Sequence, residues 1–226
     1  MIAHHAPPTA DLGEKSPTTR AERVRTRSIA RREAERLQLR DTVLEIASRQ
    51  LVANGYERFS LREVAEEAGY SPTALYRYFA DRDALLEEVC QGYFAQFGEV
   101  LRAADRSATM PRERLLAQAQ AYVQYAIENP AIYKLMFLER PDWGMGMSMD
   151  DVAADTGFMV LSDAVAALAA AGGLGKLEVG PASLILWSGV HGMAAMAVTM
   201  NLLPPAQLLA MTHAMSEVVL AGFHSP

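Results

Sequence analysis

The feature that most constrains the fold is a pair of closely spaced helix starts on either side of a glycine. Ser60-Leu-Arg-Glu63 is a capping box, in which the serine and the glutamate three positions later satisfy each other's backbone donors. Gly69 ends this helix, and Ser71 with Pro72 begins the next, because proline at the first helical position gives up only an N–H that has no helical partner. The spacing predicts a second helix from Pro72 to Phe79.

Two short helices joined by a three-residue turn that begins with glycine have the geometry of a helix-turn-helix, whose second helix lies in the major groove of DNA. Leu75 and Phe79 lie four apart and are predicted to face the core. The outward side chains, which can donate hydrogen bonds to phosphates or base edges, are then Thr73, Tyr76, Arg77 and Tyr78. An ordinary helical hairpin in an all-α protein is the alternative interpretation.

Apolar spacing with glycine and proline boundaries predicts an all-α chain of about nine helices. The first helix is possible from Arg23, is predicted from Leu37 and ends at Asn54-Gly55. The later helices are predicted at about 82–104, 111–129, 130–137, 150–171, 181–201 and 205–222. The apolar stretch 181–200 contains several polar residues and ends at a Pro-Pro pair, which favours a buried helix over a membrane span.

Charge divides the chain unevenly. Residues 1–82 hold 14 Lys and Arg against 12 Asp and Glu, whereas 83–226 hold 7 against 15, so the two parts carry +2 and −8 of the net −6. Residues 20–40 alone contain eight arginines and three glutamates. Such a local basic cluster fits one face meeting phosphate, or else a solvated, charge-rich helix or tail. We expect a mobile arm at 1–20, a DNA-binding domain with an arginine-rich extension at 21–82, and a helical ligand-binding and dimerisation domain at 83–226.

Composition and missing motifs exclude several classes of protein. With 50% hydrophobic and 21% charged residues, the chain is predicted to be soluble and globular. The single cysteine, Cys90, excludes an internal disulfide, and the first residues do not form a secretory signal, so a reducing cytoplasm is expected. No phosphate loop, nucleophile elbow or metal-spaced cluster of ligands occurs. We therefore expect no enzymatic activity, no metal and no cofactor.

The stretch Phe59-Ser-Leu-Arg-Glu-Val-Ala-Glu-Glu-Ala-Gly-Tyr-Ser-Pro-Thr-Ala-Leu-Tyr-Arg-Tyr-Phe79, with Gly55 before it and Asp81-Arg82 after it, resembles the DNA-binding domain of TetR-family transcriptional regulators. The resemblance covers about fifty residues and implies a homodimeric repressor that binds a palindromic operator on double-stranded DNA. A small molecule entering the C-terminal domain would release it. The alternative function is an all-α interaction protein that acts through a protein partner without specific DNA binding.

The DNA contacts of the family carry over to matching positions. Ser60 and Arg62 would hold phosphate, residues 71–74 would lie at the base edges, and Tyr76 and Tyr78 would anchor the backbone. The full expected set is Ser60, Arg62, Ser71, Pro72, Thr73, Ala74, Tyr76, Arg77, Tyr78 and Arg82. Two positions depart from the usual pattern: Arg82 stands where lysine is usual, and Tyr78 where histidine is frequent.

In some members of the family an N-terminal extension enters the adjacent minor groove, where arginine suits the negative potential. The corresponding residues would be Arg23, Arg25, Arg27, Arg31 and Arg32. A disordered tail with weak, non-specific attraction to any polyanion is the alternative.

The segment Trp187-Ser-Gly-Val-His191-Gly192 resembles a TetR subgroup marked by a Trp-x-x-x-His-Gly signature in the C-terminal domain. The resemblance implies that the last two helices of two subunits pack as a four-helix bundle. The expected interface residues are Gly189, Gly192, Met196, Leu208, Met215 and Val219.

Ten of the twelve methionines lie in 130–226, which indicates either ordinary core filling or an adaptable interior that admits small apolar ligands. The segment 140–149 is either a loop beside such a cavity or a surface loop. Expected ligand-binding residues are Tyr122, Tyr125, Met136, Phe137, Trp143, Phe158, Trp187 and His191. Helix packing is the alternative role for His191.

Overall fold

The computed structural model describes residues 20–138, 156–200 and 203–223, and within these ranges all regular structure is helical. The nine helices described are α1 Arg20–Asn54, α2 Leu61–Glu67, α3 Pro72–Leu75, α4 Arg82–Arg106, α5 Pro111–Glu128, α6 Pro130–Phe137, α7 Thr156–Ala170, α8 Val179–Met200 and α9 Pro205–Gly222. The all-α prediction is confirmed. The expected arm up to residue 19 and the loop 140–149 lie outside the described residues.

The chain divides into two units, residues 1–42 and 43–226. The described part of the first unit is the N-terminal portion of α1, which begins well before Leu37. Apolar periodicity misses these turns because they are stabilised by exposed side-chain pairs along the helix instead. Arg31 pairs with Glu35 at 3.3 Å, and Arg36 pairs with Glu33 at 2.9 Å.

The helix-turn-helix forms largely as its sequence predicts. The Ser60 hydroxyl accepts a hydrogen bond from the Glu63 N–H, and the Ser71 hydroxyl accepts one from the Ala74 N–H at 3.3 Å. Gly69 has φ +77°, a left-handed conformation that suits glycine. Helix α3 is shorter than predicted.

After Leu75 the chain continues to Phe79 through turns that mix two patterns: the Phe79 N–H bonds to the Leu75 carbonyl four residues back, whereas two other N–H groups bond more tightly. The Arg77 N–H bonds to the Ala74 carbonyl and the Tyr78 N–H to the Leu75 carbonyl, each three residues back. The outward side chains therefore come from one α-helical turn followed by 3₁₀-like turns.

Helix α5 lies at the centre of the second unit and contacts α4, α6, α7, α8 and α9. Around its first half, α7, α8 and α9 contribute to a core that contains Leu115, Val165, Leu186, Leu220 and Phe223. Helix α8 is long and apolar enough to cross a membrane by length and composition alone. It packs against α5, α7 and α9, and the core helix of a soluble protein passes the same test.

The turn between α2 and α3 supplies a test of the fold. Gly69→Ala places a side chain at positive φ, so we expect a loss of about 1 kcal/mol of unfolding free energy, although a Cβ there would meet no atom within 4 Å. Urea denaturation at fixed protein concentration measures it.

The matched control is Gly92→Ala in the middle of α4, where a Cβ also meets nothing within 4 Å and the conformation is helical. This variant should be neutral or gain up to about 1 kcal/mol. Equal stability of the two variants would contradict the argument from positive φ.

Candidate functional site

One side of α3 and the turn after it is held by the core, and the other side faces solvent. Leu75 and Phe79 are buried completely and fix this segment on α2 and its neighbours. Thr73, Tyr76 and Arg77 are exposed, and the Tyr76 side chain is 55% exposed although it is large and aromatic. The predicted division into core and outward side chains is therefore present in the structure.

The other side chains predicted to contact DNA differ in their exposure to solvent and in their contacts within the protein. Ser71 is exposed, whereas Pro72, Ala74 and Tyr78 are half-buried. Ser60 is half-buried and caps α2. Arg62 is exposed, and its Nε lies 2.9 Å from Oε1 of Glu66 one turn further along α2. An exposed pair of this kind is weak, so a phosphate can compete for the guanidinium.

Arg82 is held by the protein itself. Its Nη2 donates to the backbone carbonyl of Tyr56, and its guanidinium carbon lies 4.3 Å from the centre of the Tyr56 ring. The Nε atom is buried and has no hydrogen-bond partner within the described ranges. Arg82 therefore joins the start of α4 to the loop after α1, an intramolecular role that the sequence did not indicate.

The five arginines expected in the minor groove all lie on α1 and are exposed. They belong to the unit 1–42. Of these, Arg31 pairs with Glu35, an exposed contact. The described structure gives this region a helical backbone from Arg20 onward.

A continuous group of aromatic rings lies among α4, α5, α6, α7 and α8. Trp187 stacks on His191 with ring centres 4.9 Å apart and planes 22° from parallel. Tyr133 lies against His191 at 5.9 Å, and Phe97 meets Tyr122 edge-on at 4.9 Å. Other members are Phe94, Tyr125, Phe137 and Phe158. Ring packing of this extent is a large apolar contribution to the unit.

His191 is the polar centre of this aromatic group. Its Nδ1 lies 2.8 Å from the Tyr133 hydroxyl and 3.1 Å from the Tyr122 hydroxyl. Burial lowers the pKa of His191 and raises the pKa of Tyr133. A neutral imidazole with Nδ1 accepting from a tyrosine is consistent with both directions.

A small cavity of about 30 Å³ lies beside the aromatic group. Three predicted ligand-binding residues line it: Tyr122, Phe158 and Trp187. The other described wall residues are Phe97, Leu101, Leu115, Gln118, Ala119, Gly157, Leu161, Leu186 and Val190. A volume of this size holds about one water, so a larger ligand must displace side chains.

The remaining predicted ligand residues are not on this wall. Phe137 and His191 lie behind it, joined to it through Tyr122. Tyr125 packs against Phe97, and burial raises the pKa of Tyr125 to about 12. Met136 is fully buried. Trp143 lies outside the described residues.

Gln118 is the one amide among the described residues of the cavity wall, and it was not among the predicted ligand-binding residues. Gln118 is buried, and its Nε2 donates to Oδ1 of Asp105 at 2.7 Å. Asp105 also accepts two hydrogen bonds from Arg114, at 2.9 and 2.6 Å. A glutamine inside the apolar stripe of α5 was the available signal, since a buried amide needs partners.

The residues expected at a dimer interface fall into two groups. Gly192 is exposed, and Met196 is half-buried. The other four already make contacts inside one chain. A Cβ on Gly189 would lie 2.7 Å from the Met215 sulfur, Leu208 is buried, and Val219 packs on the core. The same two helices expose Ile185, Met211 and Val218.

Two family models match the chain. The model of the bacterial regulatory proteins of the tetR family matches residues 43–89, and the model of the tetracyclin repressor-like C-terminal domain matches residues 115–219. The chain belongs to the TetR family of transcriptional regulators, which confirms the resemblance. Its members are regulators and not enzymes. These matches leave the Trp-x-x-x-His-Gly subgroup as a prediction.

Individual relatives match less of the chain than the two family models together, and at low identity. An HTH-type transcriptional regulator of Mycobacterium tuberculosis is 29% identical over 111 residues, 48% of this chain and 47% of the relative. An HTH-type regulator of Mycobacterium bovis matches to the same extent. The chain thus spans about half the length of the curated relatives it matches.

Solved structures share the fold over most of the chain. A protein of unknown function from Rhodococcus sp. RHA1 is 27% identical, with a TM-score of 0.69, covering 83% of this chain and 96% of that one. The regulator FadR from Bacillus subtilis, solved in complex with stearoyl-CoA, is 16% identical with a TM-score of 0.66, covering 81% and 98%. At 16% identity the second likeness shows the fold alone.

The half-buried His191, whose pKa is lowered by desolvation, predicts a pH dependence of stability. Because its pKa is lower in the folded protein than in the unfolded chain, the unfolded state takes up a proton first as pH falls below about 6.5. The unfolding free energy of the wild type should therefore fall more between about pH 7.5 and about pH 5.5 than that of His191→Asn, whose amide oxygen keeps an acceptor for tyrosine.

Urea denaturation at both pH values measures this difference. His213→Asn, on an exposed side chain of α9, is the control for loss of a histidine. An identical pH dependence in the wild type and His191→Asn would refute the assignment.

Proposed function

We propose that this protein is a homodimeric transcriptional repressor that binds a palindromic operator and is released from it by a small, largely apolar ligand. Membership of the TetR family supports the general role, since its members are DNA-binding regulators that typically respond to ligands. The operator, the ligand and the dimer are the finer parts of the proposal. A chain that acts through a protein partner without DNA is not favoured by this membership.

The single observation that carries the proposal is the exposed donor side of α3 and the following turn. Tyr76 and Arg77 stand out from a backbone that is fixed by the buried Leu75 and Phe79. Both side chains carry hydrogen-bond donors, and DNA supplies acceptors for both. The proposed contacts are those expected from the family: Ser60, Arg62, Ser71, Pro72, Thr73, Ala74, Tyr76, Arg77, Tyr78 and Arg82.

The small molecule is proposed to enter the cavity beside Trp187. Phe97, Phe158 and Trp187 give its wall an apolar surface, and the aromatic group behind it supplies an adaptable boundary. Opening the cavity must move wall residues, because about 30 Å³ is far below the volume of an ordinary ligand site. Ligand binding is thereby tied to a change in packing around α4 and α7.

The dimer is proposed to form through α8 and α9. Ile185 and Gly192 on α8 and Met211 and Val218 on α9 are exposed in the single chain. Apolar and small residues at these positions suit close packing of two further helices, as in an isologous four-helix bundle. Gly189 and Leu208, by contrast, act within the chain, where they shape the contact between the two helices and the core.

Release follows from linkage between the two sites. If DNA and ligand favour different arrangements of the two DNA-binding domains in a dimer, each must weaken the binding of the other by the same factor. Two half-sites about one turn of DNA apart would require a single arrangement. A regulator of this kind acts in the cytoplasm, where its DNA is located.

The DNA surface is tested by Tyr76→Phe and Arg77→Ala. Loss of the tyrosine hydroxyl should weaken specific binding about three- to tenfold, as expected for one hydrogen bond, and loss of the guanidinium about tenfold or more. Fluorescence anisotropy with the intergenic DNA beside the protein's own gene, in excess random duplex, measures both.

Arg106→Ala, on an exposed side chain at the end of α4, is the matched control and should bind as the wild type does. Size-exclusion chromatography and thermal melts should be the same for all four proteins. Wild-type affinity in both Tyr76→Phe and Arg77→Ala would remove the basis of the proposed surface.

The arginines at the start of α1 are tested separately through the salt dependence of binding. Changing Arg23, Arg25, Arg27, Arg31 and Arg32 to Gln should lower affinity and reduce the slope of log K against log salt by about 0.9 for each phosphate that is no longer neutralised. A weaker affinity for random duplex and operator alike indicates non-specific attraction. An unchanged slope and affinity would exclude DNA contact by these residues.

A further inference from the structure

The two ends of the buried Gln118 amide have different surroundings. Its nitrogen donates to Oδ1 of Asp105 at 2.7 Å. Its oxygen, Oε1, is buried and has no hydrogen-bond partner within the described part of the chain. The side chain as a whole is 3% exposed. Since buried acceptors in folded proteins are nearly always paired, this atom indicates a partner that the described residues do not supply.

The Asp105–Arg114 pair determines that Nε2 of the Gln118 amide, and not Oε1, lies against Asp105. Arg114 donates to both carboxylate oxygens of Asp105, so the carboxylate group is held in a set orientation. The hydrogen bond to Asp105 raises the pKa of the Arg114 guanidinium further. Turning the Gln118 amide over would place its oxygen against a carboxylate oxygen, which is repulsive. The Gln118 amide therefore keeps its nitrogen toward Asp105, and its oxygen remains available as a hydrogen-bond acceptor on the other side.

Gln118 lies on the wall of the cavity, and the rest of that wall offers little to a polar ligand. Of the twelve lining residues described, only Gln118, Tyr122 and Trp187 have polar side-chain atoms, and none is charged. The Tyr122 hydroxyl is within hydrogen-bond distance of His191. Oε1 of Gln118 is the acceptor of a wall residue that remains for a guest, and because this atom is itself buried, a guest reaches it only when wall residues move.

We propose that the cavity selects an apolar molecule carrying a hydrogen-bond donor, a hydroxyl or an amine, and that this donor binds Oε1 of Gln118. The inference rests on the proposed function, because it names the class of ligand for the proposed ligand site. Such a ligand satisfies the buried acceptor while its apolar part contacts Phe97, Phe158 and Trp187. Gln118 thereby sets the specificity of the site.

The same geometry disfavours carboxylate ligands. A carboxylate in the cavity would meet the Gln118 carbonyl oxygen, with the Asp105 carboxylate behind it. The described wall has no cation to compensate for the water that the anion loses, and Arg114 is already occupied by Asp105. An unpaired anion transferred from water to such surroundings is strongly unfavourable.

The test uses three probes of similar shape: phenol, which has a donor, toluene, which has none, and benzoate, which is anionic. Isothermal titration calorimetry of the full chain should show phenol binding about three- to tenfold more tightly than toluene, the range expected for one net hydrogen bond. Benzoate should bind more weakly than either.

Gln118→Met keeps the length and burial of the side chain and removes the acceptor. In this variant phenol and toluene should bind with nearly equal affinity, and toluene should bind no worse than to the wild type. Gly157→Ala is the control for location, since its Cβ would lie 3.2 Å from the Phe97 ring and 3.3 Å from Leu101 and so narrows the cavity. It should weaken both probes together.

The inference would be overturned by equal binding of phenol and toluene to the wild type, by a phenol preference that survives in Gln118→Met, or by tightest binding of benzoate. The first is also the result expected if a water alone satisfies Oε1. Failure of all three probes to bind at the solubility limit of toluene would overturn it as well. Operator binding by the same preparations then shows separately whether the proposed regulator stands.

Discussion

The enclosure of α5 by five other helices determines most of what the second unit can do. A helix packed on so many sides has few positions where a polar group reaches water, so its polar side chains must find partners inside the protein. The Tyr122 hydroxyl pairs with His191, and the nitrogen of the Gln118 amide donates to Asp105 while its oxygen has no partner among the described residues. The incomplete pairing of Gln118 therefore belongs to the helix on which the rest of the unit is packed.

The two candidate sites use opposite physical means. The proposed DNA surface consists of exposed donors on a short segment that is held from beneath by Leu75 and Phe79, so it needs little movement to enter a major groove. The proposed ligand cavity is apolar and has a volume of only about 30 Å³, so its wall must change in order for a ligand to fill it. Control of DNA binding by a ligand requires this combination: a DNA-binding surface that keeps its shape and a ligand cavity whose shape changes when the ligand binds.

Sequence patterns predicted the elements whose signals are local. The caps at Ser60 and Ser71, the turn at Gly69 and the apolar spacing of α4 to α9 are all properties of a few neighbouring residues, and these elements formed as predicted. The start of α1 was missed because ion pairs replace apolar periodicity there, and α3 was drawn too long because its last turns are 3₁₀-like.

Side-chain partners across the fold could not be predicted from the sequence. Of the predicted ligand-binding residues, Tyr122, Phe158 and Trp187 lie on one apolar wall, as large aromatic residues of an apolar interior can be expected to do. Nothing in the sequence spacing joins Gln118 to Asp105 or Arg82 to Tyr56, because these contacts depend on how helices and loops are packed together. Such tertiary contacts decide which donors are free and which are used.

Helix α4 carries side chains that contact the loop before the helix-turn-helix and side chains that line the cavity. Arg82 at its first position holds the loop beyond Tyr56, while Phe97 and Leu101 form part of the cavity wall. Fifteen residues of helix separate Arg82 from Phe97, which is about 22 Å along the axis. A ligand that displaces Phe97 must either rotate this ring or shift the helix. Only the second response carries the change to Arg82, so in the proposed regulator the rigidity of α4 would set the coupling between ligand and DNA.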